Sequence, residues 1–377
     1  MEISATLGAK DLTRALAIVG RTVSHDSTIP ILGMMRVEAT DGEIVLTANN
    51  LDMEMRLRAS ADTSGRGGVC IPAKDLQDIT SRLDASAAVT LSWVQDEPRM
   101  RVLARRGRYT LSALTARDFP DYKAGAPAAS FSLQTDRLGE MIAAVTYAMA
   151  TDETRYYLGG AYLHAAARDG ADVLRLVAVD GHCLSLIEEP APDGCVGMPG
   201  VIIPARAVGE IARLCRAMDG AARIAVSDGH VVVEAGAARL TAKVIDGTYP
   251  DYMQVIPTRN SRRAHFDPGA MVGAAERIGA VLAGKRTDIK MSFEADRLVV
   301  STTNENGEKS QEEVPVDYDA DPLEIGLNKN YVTATLGAFG DERVTMSMSS
   351  PAEPVLFERG HASPDRLAVI MPLRVAS

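Results

Sequence analysis

The sequence predicts an α+β protein made of three similar domains in tandem, with helices lining one surface and antiparallel sheets the other. Two short segments occur twice: 119–122 (FPDY) returns as 249–252 (YPDY), and 71–74 (IPAK) returns as 203–206 (IPAR). The copies are separated by 130 and 132 residues, so the 377 residues divide into three parts of about 126, a common domain size. This arrangement indicates a curved or ring-like scaffold rather than a protein with a single catalytic pocket.

The boundaries of the predicted domains fall in candidate linkers. Residues 122–130 are rich in Ala, Gly and Pro, and residues 257–263 form the second linker. We therefore predict the domains at 1–125, 126–256 and 257–377.

Each predicted domain opens with a strand and an amphipathic helix. Apolar residues recur along the helix about every three to four positions, which is the spacing of one buried helical face. In the third copy Asp267 and Pro268 supply an N-cap and a first-turn proline. The apolar positions are Leu12, Leu16, Val19 and Val23 in the first copy, Leu138, Ile142, Val145 and Met149 in the second, and Val272, Ala275, Ile278 and Leu282 in the third.

Antiparallel hairpins and a second helix follow. Segments 43–47 and 297–301 alternate in polarity after short turns, as hairpin strands do. Residues 304–313 are polar and partly acidic, which predicts a solvated hairpin loop. The second helix is predicted at 72–83, 204–218 and 328–339, with proline first in two copies and Asn328 as N-cap in the third.

The second helix carries a basic residue at the same position in all three copies, namely Lys74, Arg206 and Lys329. In the middle copy Arg213 and Arg216 fall on a similar side. Glu210 lies among them, so the face is either an ordinary solvated surface or a phosphate contact. The repeated basic position favours phosphate contact.

Composition limits the classes of function. The net charge of −10 argues against a protein that grips nucleic acid by its overall charge, although a ring can be acidic outside and basic inside. The sequence has neither a signal segment nor 18 consecutive apolar residues, so we expect a cytoplasmic protein with no membrane contact. The four cysteines lack CxxC spacing and there are only six histidines, so we expect reduced packed thiols, no disulfide, no metal and no cofactor.

Three motifs could be mistaken for catalytic sites. Asp180 and His182 flank a glycine, which predicts a turn rather than an acid–base pair, and Cys183 beside them is expected to pack. Segment 64–68 is rich in glycine but lacks the phosphate-binding pattern, so it is predicted to be a flexible turn.

Two further segments have alternative interpretations. Tyr156 and Tyr157 are either core aromatics, the default, or a platform for bases. Residues 367–375 predict a buried strand and an apolar tail, which either docks or forms part of a peptide-binding site.

Seven short motifs occur in an order and at spacings that are together highly specific. They are Thr28–Gly33, Leu51–Met55, Asp118–Tyr122, Arg155–Leu158, Val177–His182, Asp246–Tyr252 and Met371–Arg374. With these motifs the chain resembles, over essentially its whole length, the bacterial DNA sliding clamps, which are the beta subunits of the DNA polymerase III holoenzyme.

The resemblance implies a DNA polymerase processivity factor that has no catalytic residues. It implies a head-to-tail homodimer forming a ring with helices inside and sheets outside, which encircles double-stranded DNA independently of sequence. The expected partners are the clamp loader and, through short linear motifs, replicative and translesion polymerases and repair proteins.

The resemblance also implies the binding residues. A cleft between the second and third domains receives partner motifs, and a tyrosine pair matches family positions near the DNA. To this pair we add the basic helix positions predicted above from the repeat. The cleft residues are Leu158, Val179, Gly181, His182, Leu184, Pro250, Val255, Asn328, Tyr331, Val369, Met371, Pro372, Leu373 and Arg374. The DNA-contacting residues are Tyr156, Tyr157, Lys74, Arg206, Arg213 and Lys329. Cys183, Gln254 and Asp26 stand where the family commonly has arginine.

Three alternatives remain. The first is a second clamp copy specialised for drug tolerance or for a mobile element. The second is a hydrolase that uses Asp180 and His182, which predicts turnover by a monomer and its loss in His182→Ala. The third is a scaffold unrelated to DNA, which would not be retained on circular duplex.

Overall fold

The computed structural model describes residues 2–24, 27–120, 122–280, 287–304, 306–359 and 365–374. The chain forms two compact units, each made of two stretches of sequence. The first unit contains Met1–Asp136 and Glu210–Val244, and the second contains Arg137–Gly209 and Ile245–Ser377. No helix among these described ranges is long and apolar enough to cross a membrane.

Six α-helices and 26 strands are defined in the described part of the chain. The helices are α1 (Ala9–Val19), α2 (Ala73–Thr80), α3 (Thr135–Val145), α4 (Ala205–Ala217), α5 (Pro268–Gly279) and α6 (Lys329–Phe339). The strands are β1 (Glu2–Gly8), β2 (Met34–Thr40), β3 (Glu43–Asn49), β4 (Met53–Ser60), β5 (Asp62–Ser64), β6 (Gly67–Pro72), β7 (Ala88–Val94), β8 (Arg99–Ala104), β9 (Gly107–Ser112), β10 (Leu114–Thr115), β11 (Ala129–Gln134), β12 (Gly160–Arg168), β13 (Ala171–Val179), β14 (Cys183–Pro190), β15 (Val201–Pro204), β16 (Ala221–Ser227), β17 (His230–Ala235), β18 (Ala238–Lys243), β19 (Arg262–Phe266), β20 (Asp288–Glu294), β21 (Arg297–Thr303), β22 (Lys309–Pro315), β23 (Leu323–Asn328), β24 (Val344–Met348), β25 (Val355–Arg359) and β26 (Arg366–Ile370).

The strands form four sheets, two in each unit. The first unit has a five-stranded sheet in the order β5-β1-β7-β8-β9 and a nine-stranded sheet in the order β10-β6-β2-β3-β4-β18-β17-β16-β11. The second unit has an eight-stranded sheet, β15-β12-β13-β14-β26-β25-β24-β19, and a four-stranded sheet, β22-β21-β20-β23. The strand pairs in these sheets are antiparallel, for example β13 with β14 and β14 with β26. The predicted α+β class with antiparallel sheets is therefore confirmed.

The three predicted copies of the first helix are present as α1, α3 and α5. Their apolar faces are buried where the spacing predicts, as at Leu16, Val145 and Ile278. Asp267 caps α5, because its carboxylate accepts a hydrogen bond from the Ala270 N–H at 2.6 Å. Leu282 lies outside the described residues.

The second helix differs from its prediction at the start. Pro72 and Pro204 end strands β6 and β15, and α2 and α4 begin one residue later. A proline at the last strand position has no N–H to leave unpaired, so it separates strand from helix. Asn328 is the N-cap of α6 as predicted, since its side chain accepts from the Asn330 N–H at 2.9 Å.

Two predicted loops contain strands. Residues 309–313, placed in a solvated hairpin loop, belong to β22, which pairs with β21. The sequence shows no alternation of apolar and polar residues here, because this edge strand is polar on both faces apart from the buried Val314. Segment 64–68 contains the end of β5 and the start of β6, and Arg66 forms an ion pair with Asp41 beside it.

The four cysteines are buried, as predicted for packed thiols. Burial raises the pKa of the Cys70 thiol to about 12 and that of Cys215 to about 11. It also raises the pKa of Cys183, next to the predicted turn. These thiols are therefore protonated packing groups rather than nucleophiles at neutral pH.

Candidate functional site

Four of the predicted apolar cleft residues meet in one place in the second unit. Leu158, Leu184 and Val369 are at most 5% exposed and belong to a single hydrophobic cluster. Val179 is partly buried and packs against the same cluster. The other buried members are Ala150, Val177, Leu186, Ile202, Tyr249, Tyr252 and Leu356.

Strand register explains why these residues meet. Val179 on β13 lies opposite Leu184 on β14, and Leu184 lies opposite Val369 on β26. Residues directly opposite each other in antiparallel strands point to the same face of the sheet. The three side chains therefore form a continuous apolar floor.

The C-terminal tail, Met371–Arg374, leaves this floor and stays attached to the protein by backbone hydrogen bonds. The Met371 N–H donates to the His182 carbonyl, and the Leu373 N–H donates to the Gly326 carbonyl, both at 2.8 Å. Met371 is nevertheless 40% exposed and Leu373 is 36% exposed. An ordered tail that keeps apolar side chains in solvent is suited to contact a partner.

The Asp180–His182 segment is a turn, as predicted. Gly181 has φ of +93°, a conformation that favours glycine. The Asp180 carboxylate accepts hydrogen bonds from the backbone N–H groups of His182 at 2.8 Å and Cys183 at 2.7 Å. Asp180 therefore stabilises its own turn, and this geometry gives no support to an acid–base pair with His182.

The start of α6 lies next to this turn. The Tyr331 hydroxyl donates a hydrogen bond to the Asp180 carboxylate, and Asn328 caps the same helix. Burial and the neighbouring carboxylate raise the pKa of Tyr331, so its hydroxyl keeps its proton.

A short 3-10 helix, Tyr252–Val255, follows Pro250 and adds exposed apolar groups. Tyr252 is buried in the cluster, whereas Val255 is 46% exposed and Met253 is 48% exposed. Pro250 itself is exposed beside Tyr249, whose ring stacks on that of Tyr162 at 4.7 Å. Met253 was not predicted as a cleft residue. The sequence feature that could have indicated it is its place directly after the repeated segment 249–252.

Arg155 is a second residue that the sequence reasoning missed. A Cβ atom added to Gly181 would lie 2.4 Å from the Arg155 Nη1 atom, so the guanidinium occupies the space beside this glycine. Arg155 is held by Asp152, with an N–O distance of 3.4 Å. Its position just before Tyr156 and Tyr157 was the available signal.

We use the term cleft for the surface made by the apolar floor, the Asp180–His182 turn, the start of α6, the tail and the 3-10 helices Glu153–Leu158 and Tyr252–Val255. All of these elements lie in the second unit. The predicted residues are thus brought together from segments that are far apart in sequence.

The predicted DNA-contacting residues differ in how available they are. Tyr156 is 58% exposed, so the default assignment to the core is wrong for this ring, whereas Tyr157 packs partly against the cluster. Arg206 is exposed and forms no ion pair with any other described residue. Lys74 pairs with Asp78 at 3.0 Å, and the Lys329 side chain is only 17% exposed and lies 3.6 Å from Glu276.

Arg213 belongs to a larger basic surface in the first unit. It lines a concave site of about 440 Å³ together with Arg14, Arg21 and Arg216, and these arginines come from α1, the turn after it, and α4. Glu210 is the acidic residue of this lining and pairs with Arg213. Arg14 and Arg21 were missed, because on sequence alone they resemble an ordinary solvated helix face.

The described residues contain no group of three or more His, Cys, Asp or Glu side chains placed to hold a metal ion. The cleft and the basic concave surface are two arrangements on which a function can rest.

Comparison with known families assigns almost the whole chain. Residues 4–123 match the N-terminal domain of the DNA polymerase III beta subunit, residues 132–251 match its central domain, and residues 253–374 match its C-terminal domain.

Individual relatives agree with this assignment. The beta sliding clamp of Caulobacter vibrioides is 36% identical over 370 residues, covering 98% of this chain and 99% of that protein. The beta sliding clamp of Pseudomonas putida is 30% identical over 371 residues, with the same coverage.

Two crystal structures have a similar fold. The Caulobacter crescentus beta sliding clamp with bound PEG has a TM-score of 0.95 at 36% identity and covers 99% of each chain. The Bartonella birtlesii sliding clamp bound to griselimycin has a TM-score of 0.94 at 31% identity and covers all of both chains. The chain therefore belongs to the beta sliding clamp family, the non-catalytic processivity factors of DNA polymerase III.

Proposed function

We propose that this chain encircles duplex DNA as a homodimeric ring and holds polymerases and repair proteins at the DNA through its cleft. The observation that carries the proposal is the ordered tail beside the buried floor of Leu184 and Val369, with Met371 and Leu373 left exposed. Tethering a polymerase to a ring replaces repeated encounters by a high effective concentration at the primer end. We place this action in the cytoplasm, with a clamp loader opening the ring.

The proposal keeps the three-domain organisation, with domains at 1–125, 126–256 and 257–377. The three successive family matches support this division.

The composition of the cleft suits a short linear motif. Aliphatic and methionine side chains can accept a Leu or Phe of the partner, and methionine adapts its shape to different residues. Polar groups at the edge, including His182, Arg155 and Asn328, can fix the direction of the peptide backbone. Replicative and translesion polymerases and repair proteins would share this one surface.

Griselimycin is a suitable probe, because it is bound in the sliding clamps of Bartonella birtlesii and Pseudomonas aeruginosa. We propose that it binds the cleft of this chain. Met371→Ala should weaken its binding about tenfold by isothermal titration calorimetry, since a well-packed apolar anchor contributes more than about 1 kcal/mol.

The control for this experiment is Val196→Ala in the same unit. Val196 is 60% exposed and is not part of the cleft, so its replacement should leave the affinity unchanged. Equal affinities of Met371→Ala and the unchanged protein would contradict the assignment of the tail to the cleft.

DNA contact is proposed at the basic concave surface of the first unit, together with Arg206 and Tyr156. These contacts would be to phosphates, which a sliding protein can exchange without reading bases. Local positive charge of this kind can act within a chain whose net charge is −10.

Replacing Arg21 and Arg216 together by alanine should make DNA binding less sensitive to salt. Neither arginine forms an ion pair with another described residue, so both are free to meet phosphates. The slope of log K against log salt, measured by fluorescence anisotropy on a duplex, should decrease by about 2 in magnitude. Arg239→Ala, on β18 and paired with Glu234, is the control. An unchanged slope in the double variant would show that phosphates bind elsewhere.

Head-to-tail dimerisation is proposed through two edge strands of opposite charge. Strand β9 is the edge of a sheet in the first unit and carries Arg108, with Arg106 in the turn before it. Strand β22 is the edge of a sheet in the second unit and carries Glu312 and Glu313. Edge strands offer unpaired backbone groups, and complementary charge selects the partner strand. Because the two edges belong to different units, two copies can pair twice and close a ring.

A further inference from the structure

The carboxylate of Asp180 uses both of its oxygens inside the protein. Its Oδ1 atom accepts the N–H groups of His182 at 2.8 Å and Cys183 at 2.7 Å, which closes the turn between β13 and β14. Its Oδ2 atom accepts the hydroxyl of Tyr331 from the first turn of α6. One side chain therefore connects two separate walls of the cleft.

The Tyr331 hydroxyl is the donor in this connection. Burial and the Asp180 carboxylate raise the pKa of Tyr331, so the hydroxyl keeps its proton. A hydrogen bond to a charged acceptor is stronger than one between neutral groups.

Two other walls meet the same turn. The tail is attached through the Met371 N–H, which donates to the His182 carbonyl at 2.8 Å. The 3-10 helix Glu153–Leu158 reaches it through Arg155, whose Nη1 atom takes the space that a side chain at Gly181 would need. The turn is thus the point where α6, the tail and the Glu153–Leu158 helix come together.

We propose that Asp180 is a positioning residue for peptide binding, which acts with Tyr331 to hold the turn and α6 at the separation that a partner peptide requires. The inference rests on the proposed peptide-binding function of the cleft. Tyr331 then does more than line the cleft. Its hydroxyl is bonded to Asp180, and only its ring is left to contact a partner. Walls that are fixed before binding spare the peptide the cost of ordering them.

The test compares griselimycin binding to the full-length protein and its variants by surface plasmon resonance. Tyr331→Phe keeps the ring and removes the hydroxyl, and we expect affinity to fall about five- to tenfold. The loss should lie mainly in the association rate, because fewer molecules have the binding-competent arrangement of walls. A lost direct contact with the peptide would instead raise the dissociation rate.

The second variant is Asp180→Ala, which should weaken binding about 30-fold because the turn also loses its acceptor. Combining it with Tyr331→Phe should change the affinity no further than about twofold, since the hydroxyl then has no partner. Asp180→Asn keeps an oxygen for the turn, so it serves as the replacement if Asp180→Ala does not fold by circular dichroism. It should weaken binding less than Tyr331→Phe does, because its amide N–H can donate to the Tyr331 hydroxyl and only the charge of the acceptor is lost.

Tyr147→Phe is the matched control. The Tyr147 hydroxyl accepts a hydrogen bond from Thr335 on α6 at 3.1 Å and also interacts with Ser185 on β14, but its described hydrogen bonds do not include Asp180. Unchanged griselimycin binding by this variant supports the inference. A loss of affinity as large as that of Tyr331→Phe would mean that any loosening of α6 weakens binding.

Three results would overturn the inference. The first is normal griselimycin binding by Tyr331→Phe. The second is a double variant in which the affinity losses of the two single variants multiply. The third is an affinity loss that comes only from a faster dissociation rate. Failure of the unchanged protein to bind griselimycin is a different result, since it would contradict the peptide-binding function itself.

Discussion

Replacing Arg106 and Arg108 by glutamate should convert the proposed dimer into monomers. Both arginines are exposed at the β9 edge, and neither forms an ion pair with another described residue. In the proposed dimer, reversing their charge places glutamates against the acidic β22 edge of the second copy, and like charges in an interface are strongly unfavourable. The dissociation constant of the dimer, measured by analytical ultracentrifugation, should rise at least about 100-fold.

The complementary variant tests whether β22 is the partner strand. Glu308 and Glu313 are exposed at that edge, and replacing both by arginine in the same chain should recover at least about tenfold of the lost affinity. Arg223→Glu on β16, a charge reversal on a sheet of the first unit away from β9, should leave the dimer intact. A dimer that tolerates reversal at the β9 edge would exclude this strand from the interface.

Deleting residues 371–377 should abolish the proposed peptide binding and leave the proposed dimer intact. The deletion removes the exposed Met371 and Leu373 side chains and both backbone hydrogen bonds that attach the tail. Losing several anchors at the centre of a small binding surface should weaken griselimycin binding more than about 100-fold. The dimer should persist, since the proposed interface uses β9 and β22.

A shorter deletion supplies the control. Removing residues 375–377 leaves Met371–Arg374 in place, so the affinity should stay within about twofold of that of the full chain. Full affinity after the longer deletion would contradict the cleft assignment, whereas a loss in both would place the essential contacts beyond Arg374.

The helices and the repeated segments were predictable because short stretches of sequence are enough to recognise them. The apolar spacing of Leu12 and Leu16 fixes a buried helical face, and the Asp267 and Pro268 pair marks a helix start without knowledge of the rest of the fold. Strand β22 was missed because its own residues lack such a local pattern. Its polar edge position removes the apolar alternation on which a strand prediction depends.

The cleft could not be derived from the residues alone. Its floor joins Val179, Leu184 and Val369, and the strand pairing of Leu184 with Val369 brings together residues 185 positions apart in sequence. The family resemblance supplied these residues; composition and spacing did not. Asp180 was visible as part of a turn, but its bond to Tyr331 depends on where α6 packs.

The basic surface illustrates the same limit. Arg14 and Arg213 are separated by about 200 residues and each looks like a solvated helix residue, so only the folded chain brings them to one concave site. The repeated position of Lys74 and Lys329 suggested equal roles, but the structure gives the Lys329 side chain much less exposure.

Encirclement of DNA is the central claim, and its most direct test is retention on nicked circular DNA before and after the circle is linearised. The protein is loaded with a clamp loader and ATP, and bound protein is separated from free protein by gel filtration. A closed ring can leave linear DNA by sliding off the ends, so we expect retention on circles that disappears on linearisation. Equal retention on both forms, or none on circles despite an active loader, would contradict the account.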